Sequence, residues 1–193
     1  MTPADIEQRL AFLKEAERLK DVVRNSYTSK GRRESTAEHT WRLCLTAMVF
    51  QDELGDLDFL KLLKICVLHD LGEAINGDIP AIAQGSVPDK GHRERVDLLQ
   101  LMEALPATLR EEFLGLWDEY ENASSPEGRA AKALDKIETI LQHNQGRNAP
   151  DFDYGFNLAY GRKYTDSRDL FRQIREAIDR ETRGRMGAGS SPA

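Results

Sequence analysis

The chain has 193 residues, of which 27 are basic and 33 acidic, giving a formal net charge of −6 at pH 7. That balance excludes a broad nucleic-acid-binding surface, and the longest apolar run is too short and too rich in lysine to span a membrane. One domain with a sizeable core is expected, in the cytoplasm, with Cys44 and Cys66 as reduced core residues rather than a disulfide.

Thr2-Pro3-Ala4-Asp5 opens a first helix: a cap, a proline in the first turn, and an acid near the positive dipole end. Ile6, Leu10, Leu13 and Ala16 give it an apolar stripe, extended by Leu19 and Val23. A basic loop over 24–33 follows, carrying Arg24, Arg32 and Arg33. Read alone, it is either a solvated connector, the commoner case, or an anion-binding edge whose guanidinium forks match phosphate oxygens.

Ser35 and Glu38 have capping-box spacing, so a second helix starts there, with His39 in its first turn. Its apolar residues run through Trp41, Cys44, Leu45, Met48 and Val49 to about Leu54. Asp56 or Asp58 then caps a third helix, apolar nearly all round, that reaches about Glu73 and reads as the centre of the fold. It ends in three ligand-capable residues, His69, Asp70 and Glu73. A carboxylate at that end opposes the helix dipole, a mark for function. Asn76-Gly77 and Pro80 make a tight loop bearing Asp78.

A charged helix over about 89–104 stops at Pro106, and Thr108 with Glu111 repeats the capping-box pattern. Ser125-Pro126 opens a long helix whose apolar face is Ala130, Ala133, Leu134, Ile137, Ile140 and Leu141, with Asp135 set among them. Residues 146–165 hold at most a short helix. Asp166-Ser167 caps a last helix with Leu170, Phe171, Ile174 and Ile178 on one side. No strand pattern stands out. The reading is an all-α bundle of seven to eight helices in one domain, 1–183, with a flexible Gly/Ser-rich tail, 184–193.

His39, His69, Asp70 and Asp135 come from three helices, each beside apolar positions. Two imidazoles and two carboxylates form a mixed, fairly hard donor set, suited to one divalent ion such as Mn²⁺, Co²⁺, Fe²⁺, Ni²⁺ or Zn²⁺, with room for water. A cation so held acidifies its water toward neutrality and makes it a nucleophile for phosphorus. Glu73, one turn beyond His69, is the candidate general acid/base, and Asp78 can bind a hydroxyl or assist proton transfer. Each residue also has a plainer reading. A His-Asp dipeptide is common, His39 can cap its helix, and Asp135 can pair with Lys132 or Lys136. His92 sits in a charged run and reads as a surface residue. His143, two turns beyond Asp135, can face the same side, but a polar helix end is the commoner case.

Taken jointly, the strings 32–39 (Arg-Arg-Glu-Ser-Thr-Ala-Glu-His), 68–74 (Leu-His-Asp-Leu-Gly-Glu-Ala), 77–80 (Gly-Asp-Ile-Pro) and Leu134-Asp135 resemble the HD-domain metal-dependent phosphohydrolases, in particular their 5'-deoxynucleotidase branch. The resemblance covers roughly residues 8–180. It implies an HD-domain helical bundle, metal ligation by His39, His69, Asp70 and Asp135, and a catalytic role for Glu73, with Asp78 assisting. It also implies substrate contacts from Arg24, Asn25 and Arg32 and from the loop Asp78, Ile79, Pro80 and Ala81. The implied reaction hydrolyses a nucleoside 5'-monophosphate to nucleoside and phosphate, and the implied assembly is a homodimer. The alternative is a metal- and nucleotide-binding regulator without turnover. Asn25 stands where the bacterial pattern has a tryptophan that excludes a 2'-hydroxyl, which leaves room for ribonucleotides.

Overall fold

The computed structural model describes residues 1–80, 82 and 89–188. Its long helices are α1 (Pro3–Ala16), α2 (Thr36–Val49), α3 (Phe59–Leu68), α5 (Lys90–Leu101), α6 (Ala107–Asn122), α7 (Pro126–Gln145) and α10 (Asp169–Ala188). Three short ones, α4 (Glu73–Asn76), α8 (Tyr154–Ala159) and α9 (Arg162–Thr165), shape the site. The expected all-α bundle is the fold, with one addition: β1 (Val23–Tyr27) and β2 (Arg33–Ser35) form a small antiparallel hairpin.

That hairpin replaces the basic loop. Its turn closes through Gly31 at φ +84°, a left-handed conformation that favours glycine. Gln142 Nε2 donates to Tyr27 O at 2.5 Å and Arg147 N donates to Thr28 O at 3.1 Å, so the ribbon is fastened to the C-terminal end of α7. Paired backbone satisfies its own polar groups, which an unpaired connector packed on α7 would leave stranded.

The hub is α7, not α3. It packs against α2, α3, α6, α9 and α10 and touches β1 and α8. Ala131, Ala133, Leu134, Ile137 and Ile140 are buried along it, and so are Asp135, Glu138 and Thr139. Ser125 caps its start by accepting from Gly128 N at 2.9 Å. By contrast α3 stops at Leu68, five residues early, and leaves Leu60 and Val67 to solvent. Asp58, rather than Asp56, caps it.

Other boundaries moved as well. Thr108 lies inside α6, whose N-cap is Pro106 with no side-chain cap, so the apparent capping box is unused. Helix α10 starts at Asp169, after the expected cap, and runs on through Ala188 into the segment assigned to the tail; 189–193 lie outside the described residues. On α1 the buried residue is Phe12, while Ile6, Leu10 and Leu13 are exposed. On α2 the core side is Leu43 and Ala47 with His39 and Thr40, and Trp41, Leu45, Met48 and Val49 face out. Both cysteines are free. No described helix is long and apolar enough to cross a membrane.

Candidate metal centre

His39 lies in the first turn of α2. Ser35 sets that turn by accepting from Glu38 N at 3.2 Å, while Glu38 accepts from Ser35 N at 2.8 Å. The ring is fully buried. Its Nδ1 is bonded to Glu138 of α7, and Arg42 Nε holds the other Glu138 oxygen at 2.7 Å. This leaves Nε2 pointing to Asp135 Oδ1 at 3.3 Å and Asp70 Oδ2 at 3.7 Å.

His69 caps α3. Its Nδ1 donates to Cys66 O at 2.8 Å, and Trp117 Nε1 donates to its carbonyl at 3.0 Å. The ring is thus fixed with Nε2 3.0 Å from Asp70 Oδ2. Both Nε2 atoms are buried and have no hydrogen-bond partner among the described residues. Two orphaned imidazole nitrogens converging on shared carboxylate oxygens would be costly unless a cation sits among them. Ligand atoms of His39, His69 and Asp70 lie within 4.8 Å of one another. These three donors fit a divalent ion, and Asp135 Oδ1 lies beside them, 3.3 Å from His39 Nε2. A second cluster, Glu34, His39 and Glu138, is equally tight, but it uses the Nδ1 side, where Glu138 and Arg42 already satisfy each other.

The electrostatics agree with a cation site. Burial and the Arg24 charge oppose protonation of His39, but Glu138 and Asp135 outweigh them and lift its pKa to about 10. Burial also works against the charged forms of Asp70 and Asp135; the imidazoles, with Lys136 for Asp135, still hold both well below the usual carboxylate range. Tyr120 Oη and Lys136 Nζ donate to Asp135 Oδ2 at 2.5 and 2.7 Å, which leaves Oδ1 on the His39 side.

The chain leaves α3 through a tightened turn, with Leu71 N bonded to Leu68 O and Glu73 N to Asp70 O, each at 3.0 Å. In such i→i+3 geometry side chains three apart eclipse, so Asp70 and Glu73 face the same cavity. Glu73 therefore sits in the first turn of α4 rather than at the end of α3, and no dipole opposes it. Thr36 Oγ1 donates to Glu73 Oε2 at 3.3 Å, and Lys90 Nζ lies 4.0 Å from Oε1. Burial, reinforced by Asp70 and Asp78, raises the Glu73 pKa well above the carboxylate norm.

His69, Asp70, Glu73, Lys90 and Asp135 line a cavity of about 430 Å³; His39 is fully buried behind them and does not line it. Arg24 enters it from β1, donating to Thr139 Oγ1 at 3.0 Å and reaching Asp70 Oδ2 at 3.5 Å. Burial opposes its charge, yet Asp70, Glu138, Asp78 and Asp135 keep it fully protonated. Asn25, Asp78 and Pro80 also line the cavity. Ile79 is half-buried beside them without lining it, and Ala81 lies outside the described residues. Arg32 does not belong: it is exposed, paired with Glu38 at 2.6 and 3.0 Å, and lines a separate surface groove. Its partner is the capping glutamate, a competition the sequence left unresolved. His92 is exposed, as expected. His143 lies in the last turn of α7, as the spacing suggests, but it is buried and lines the far wall of the cavity, on the same side as Asp135. Sequence reasoning missed Glu138 and Tyr120, although Glu138 stands three residues from Asp135 on the same helical face.

The HD domain family model matches residues 16–175. Among curated relatives, human 5'-deoxynucleotidase HDDC2 is 36% identical over 138 residues, spanning 70% of this chain and 67% of that one. The Schizosaccharomyces pombe 5'-deoxynucleotidase hdd1 is 32% identical over 165 residues, spanning 82% and 75%. A crystal structure described as a "Predicted metal-dependent phosphohydrolase" from Magnetospirillum magnetotacticum MS-1 shares the fold, with a TM-score of 0.78 at 24% identity over 93% of this chain and 96% of that one. By that model and those relatives, the chain belongs to the HD-domain family and is an enzyme of the hydrolase type its 5'-deoxynucleotidase relatives represent.

Proposed function

We propose that the protein is a metal-dependent phosphomonoesterase that cleaves nucleoside 5'-monophosphates, deoxy forms included, to nucleoside and phosphate. The observation that carries this reading is the pair of orphaned, buried Nε2 atoms of His39 and His69 facing Asp70 and Asp135, where His69 and the two carboxylates line the same cavity as Arg24 and Glu73. The names of its relatives supply the substrate class.

His39, His69, Asp70 and Asp135 would hold one divalent cation. When bound, the cation supplies Lewis-acid charge and an acidified water. Arg24, braced by Thr139, presents guanidinium N–H groups to phosphoryl oxygens and stabilises the charge that builds there. Glu73, whose pKa is raised by burial beside Asp70 and Asp78, delivers a proton to the departing 5'-oxygen. Asp78, whose pKa burial also raises, borders the same space and can bind a sugar hydroxyl. Asn25 occupies the rim with a small side chain, so a ribose is admitted as well as a deoxyribose.

A homodimer is part of the same reading. Trp41, Leu45, Met48 and Val49 recur on one face of α2 and are all exposed, Trp41 at 65%. A clustered apolar face of that kind is suited to a second copy.

The test is phosphate release from deoxy- and ribonucleoside monophosphates by chelator-treated protein resupplied with Mn²⁺, Co²⁺ or Mg²⁺. Release with at least one ion and none without it is expected. No release with any ion would overturn the reading.

A further inference from the structure

The face of α7 that lines the cavity continues past Asp135 through Thr139 to His143. Eight residues of helix separate the metal-side carboxylate from that histidine, about 12 Å along the axis. Arg24 binds Thr139, midway between them. A phosphate placed at the Arg24 and Asp135 end therefore has one nucleoside's length of cavity before it meets His143.

That far end differs in character from the metal end. Phe152 and Phe156 are half-buried and line it, and Tyr160, also half-buried, runs from there back toward Lys136, whose Nζ lies 5.2 Å from its ring centroid. Phe156 and Tyr160 stack with ring centroids 5.0 Å apart, and Phe152 meets the His143 ring edge-on at 4.9 Å. The backbone behind them is fixed from α10. Arg175, fully buried, donates to Tyr160 O at 2.6 Å and to Asn157 O, and pairs with Asp179 Oδ1 at 2.7 Å. His143 Nδ1 lies 2.8 Å from Asn157 Oδ1, so Nδ1 is the donor and Nε2 the acceptor. Burial lowers the pKa of the ring and keeps it neutral. A neutral acceptor flanked by flat apolar rings suits a heteroaromatic edge that carries an N–H, and gives a bare sugar phosphate nothing to bind.

We infer that His143, with Phe152, Phe156 and Tyr160, forms a nucleobase subsite, in which the base lies against the aromatic wall and donates an N–H to His143 Nε2. The inference rests on the phosphomonoesterase reading for the position of the phosphate. It makes His143 a specificity residue, with no part in phosphorus chemistry.

The test compares dissociation constants of a nucleoside 5'-monophosphate and of 2-deoxyribose 5-phosphate, measured by calorimetry on Mn²⁺-loaded Glu73→Gln protein so that turnover does not consume the ligand. The nucleotide should bind more tightly. His143→Phe should weaken the nucleotide about tenfold, the scale of one lost hydrogen bond, and leave the sugar phosphate within twofold. His143→Gln, which keeps an acceptor, should recover part of the loss. Phe156→Leu, on a half-buried ring, should reduce the nucleotide preference without unfolding the chain. Equal binding of the two ligands overturns the subsite while leaving the phosphomonoesterase reading intact. Parallel weakening of both in His143→Phe does the same. Failure of the Mn²⁺-loaded Glu73→Gln protein with His143 intact to bind either ligand, together with no phosphate release by the wild-type protein, overturns both.

Discussion

His39 is gripped by Glu138 through one ring nitrogen, and the other is thereby aimed at Asp135 Oδ1, 3.3 Å away. Glu138 is itself held by Arg42 Nε at 2.7 Å, and Arg42 Nη1 donates to Gln145 at 2.9 Å. A carboxylate behind an imidazole fixes its tautomer and raises its basicity as a ligand. Glu138→Gln should therefore lower divalent-ion affinity by about tenfold or more, with the fold retained because the amide still accepts from Nδ1–H. Metal titration followed by calorimetry checks this; unchanged affinity would show that Glu138 only fills space.

Glu73→Gln should lower kcat by about a hundredfold or more and leave bound metal per chain unchanged. The combination matters. A loss of metal together with rate would place Glu73 among the ligands, and an unchanged rate would remove it from proton transfer. Metal analysis on the same samples used for kinetics makes the distinction.

Gly72 meets the backbone of α5 so closely that a Cβ would lie 2.4 Å from Glu94 O. The turn bearing Asp70 and Glu73 and the helix bearing Lys90 are held together at this point. Neither backbone can yield cheaply, so Gly72→Ala should cost about 1–3 kcal/mol and depress activity together with stability. Thermal unfolding of the variant reads the first effect. An unchanged Tm would mean that α5 can move away freely.

Glu34 is buried at 3% exposure beside Arg24. Burial and the Glu138 charge raise its pKa from 4.5 to about 7, against the pull of Arg24. The folded state thus holds the Glu34 proton more tightly than the unfolded chain. Its contribution is fully present below pH 4.5 and is lost as pH rises through about 7. The loss is on the order of 3 kcal/mol. Glu34→Gln does not titrate, so its Tm relative to wild type should rise between pH 4 and pH 8 by several degrees, roughly as expected for that energy. A constant difference across the range would remove Glu34 as the source.

Trp41→Glu should convert the proposed dimer to a monomer without changing the unfolding midpoint of a dilute sample, because the exposed α2 face contributes nothing to the monomer core. Sedimentation velocity on both proteins decides; a wild-type protein that is monomeric throughout would refute the dimer.

Several features were determined by sequence alone. Capping at Thr2, Ser35, Asp58 and Ser125 is local chemistry between a side-chain oxygen and an amide three residues on, and it placed the starts of α1, α2, α3 and α7. The residue types at 39, 69, 70 and 135 pointed to the proposed cation site, since buried imidazoles and carboxylates need a shared partner. Only the tertiary structure decided which apolar stripe became core. Ile6, Leu10, Trp41 and Met48 are as apolar as Leu43 or Leu62, but periodicity cannot say which side of a helix has neighbours. It alone decided that α3 yields to an i→i+3 turn at Asp70, because that turn is paired with the close approach of α5 at Gly72. It also decided the roles of Glu138, Arg32 and His143. Each is an ordinary polar residue until a partner ninety-nine, six or fourteen positions away claims one of its atoms.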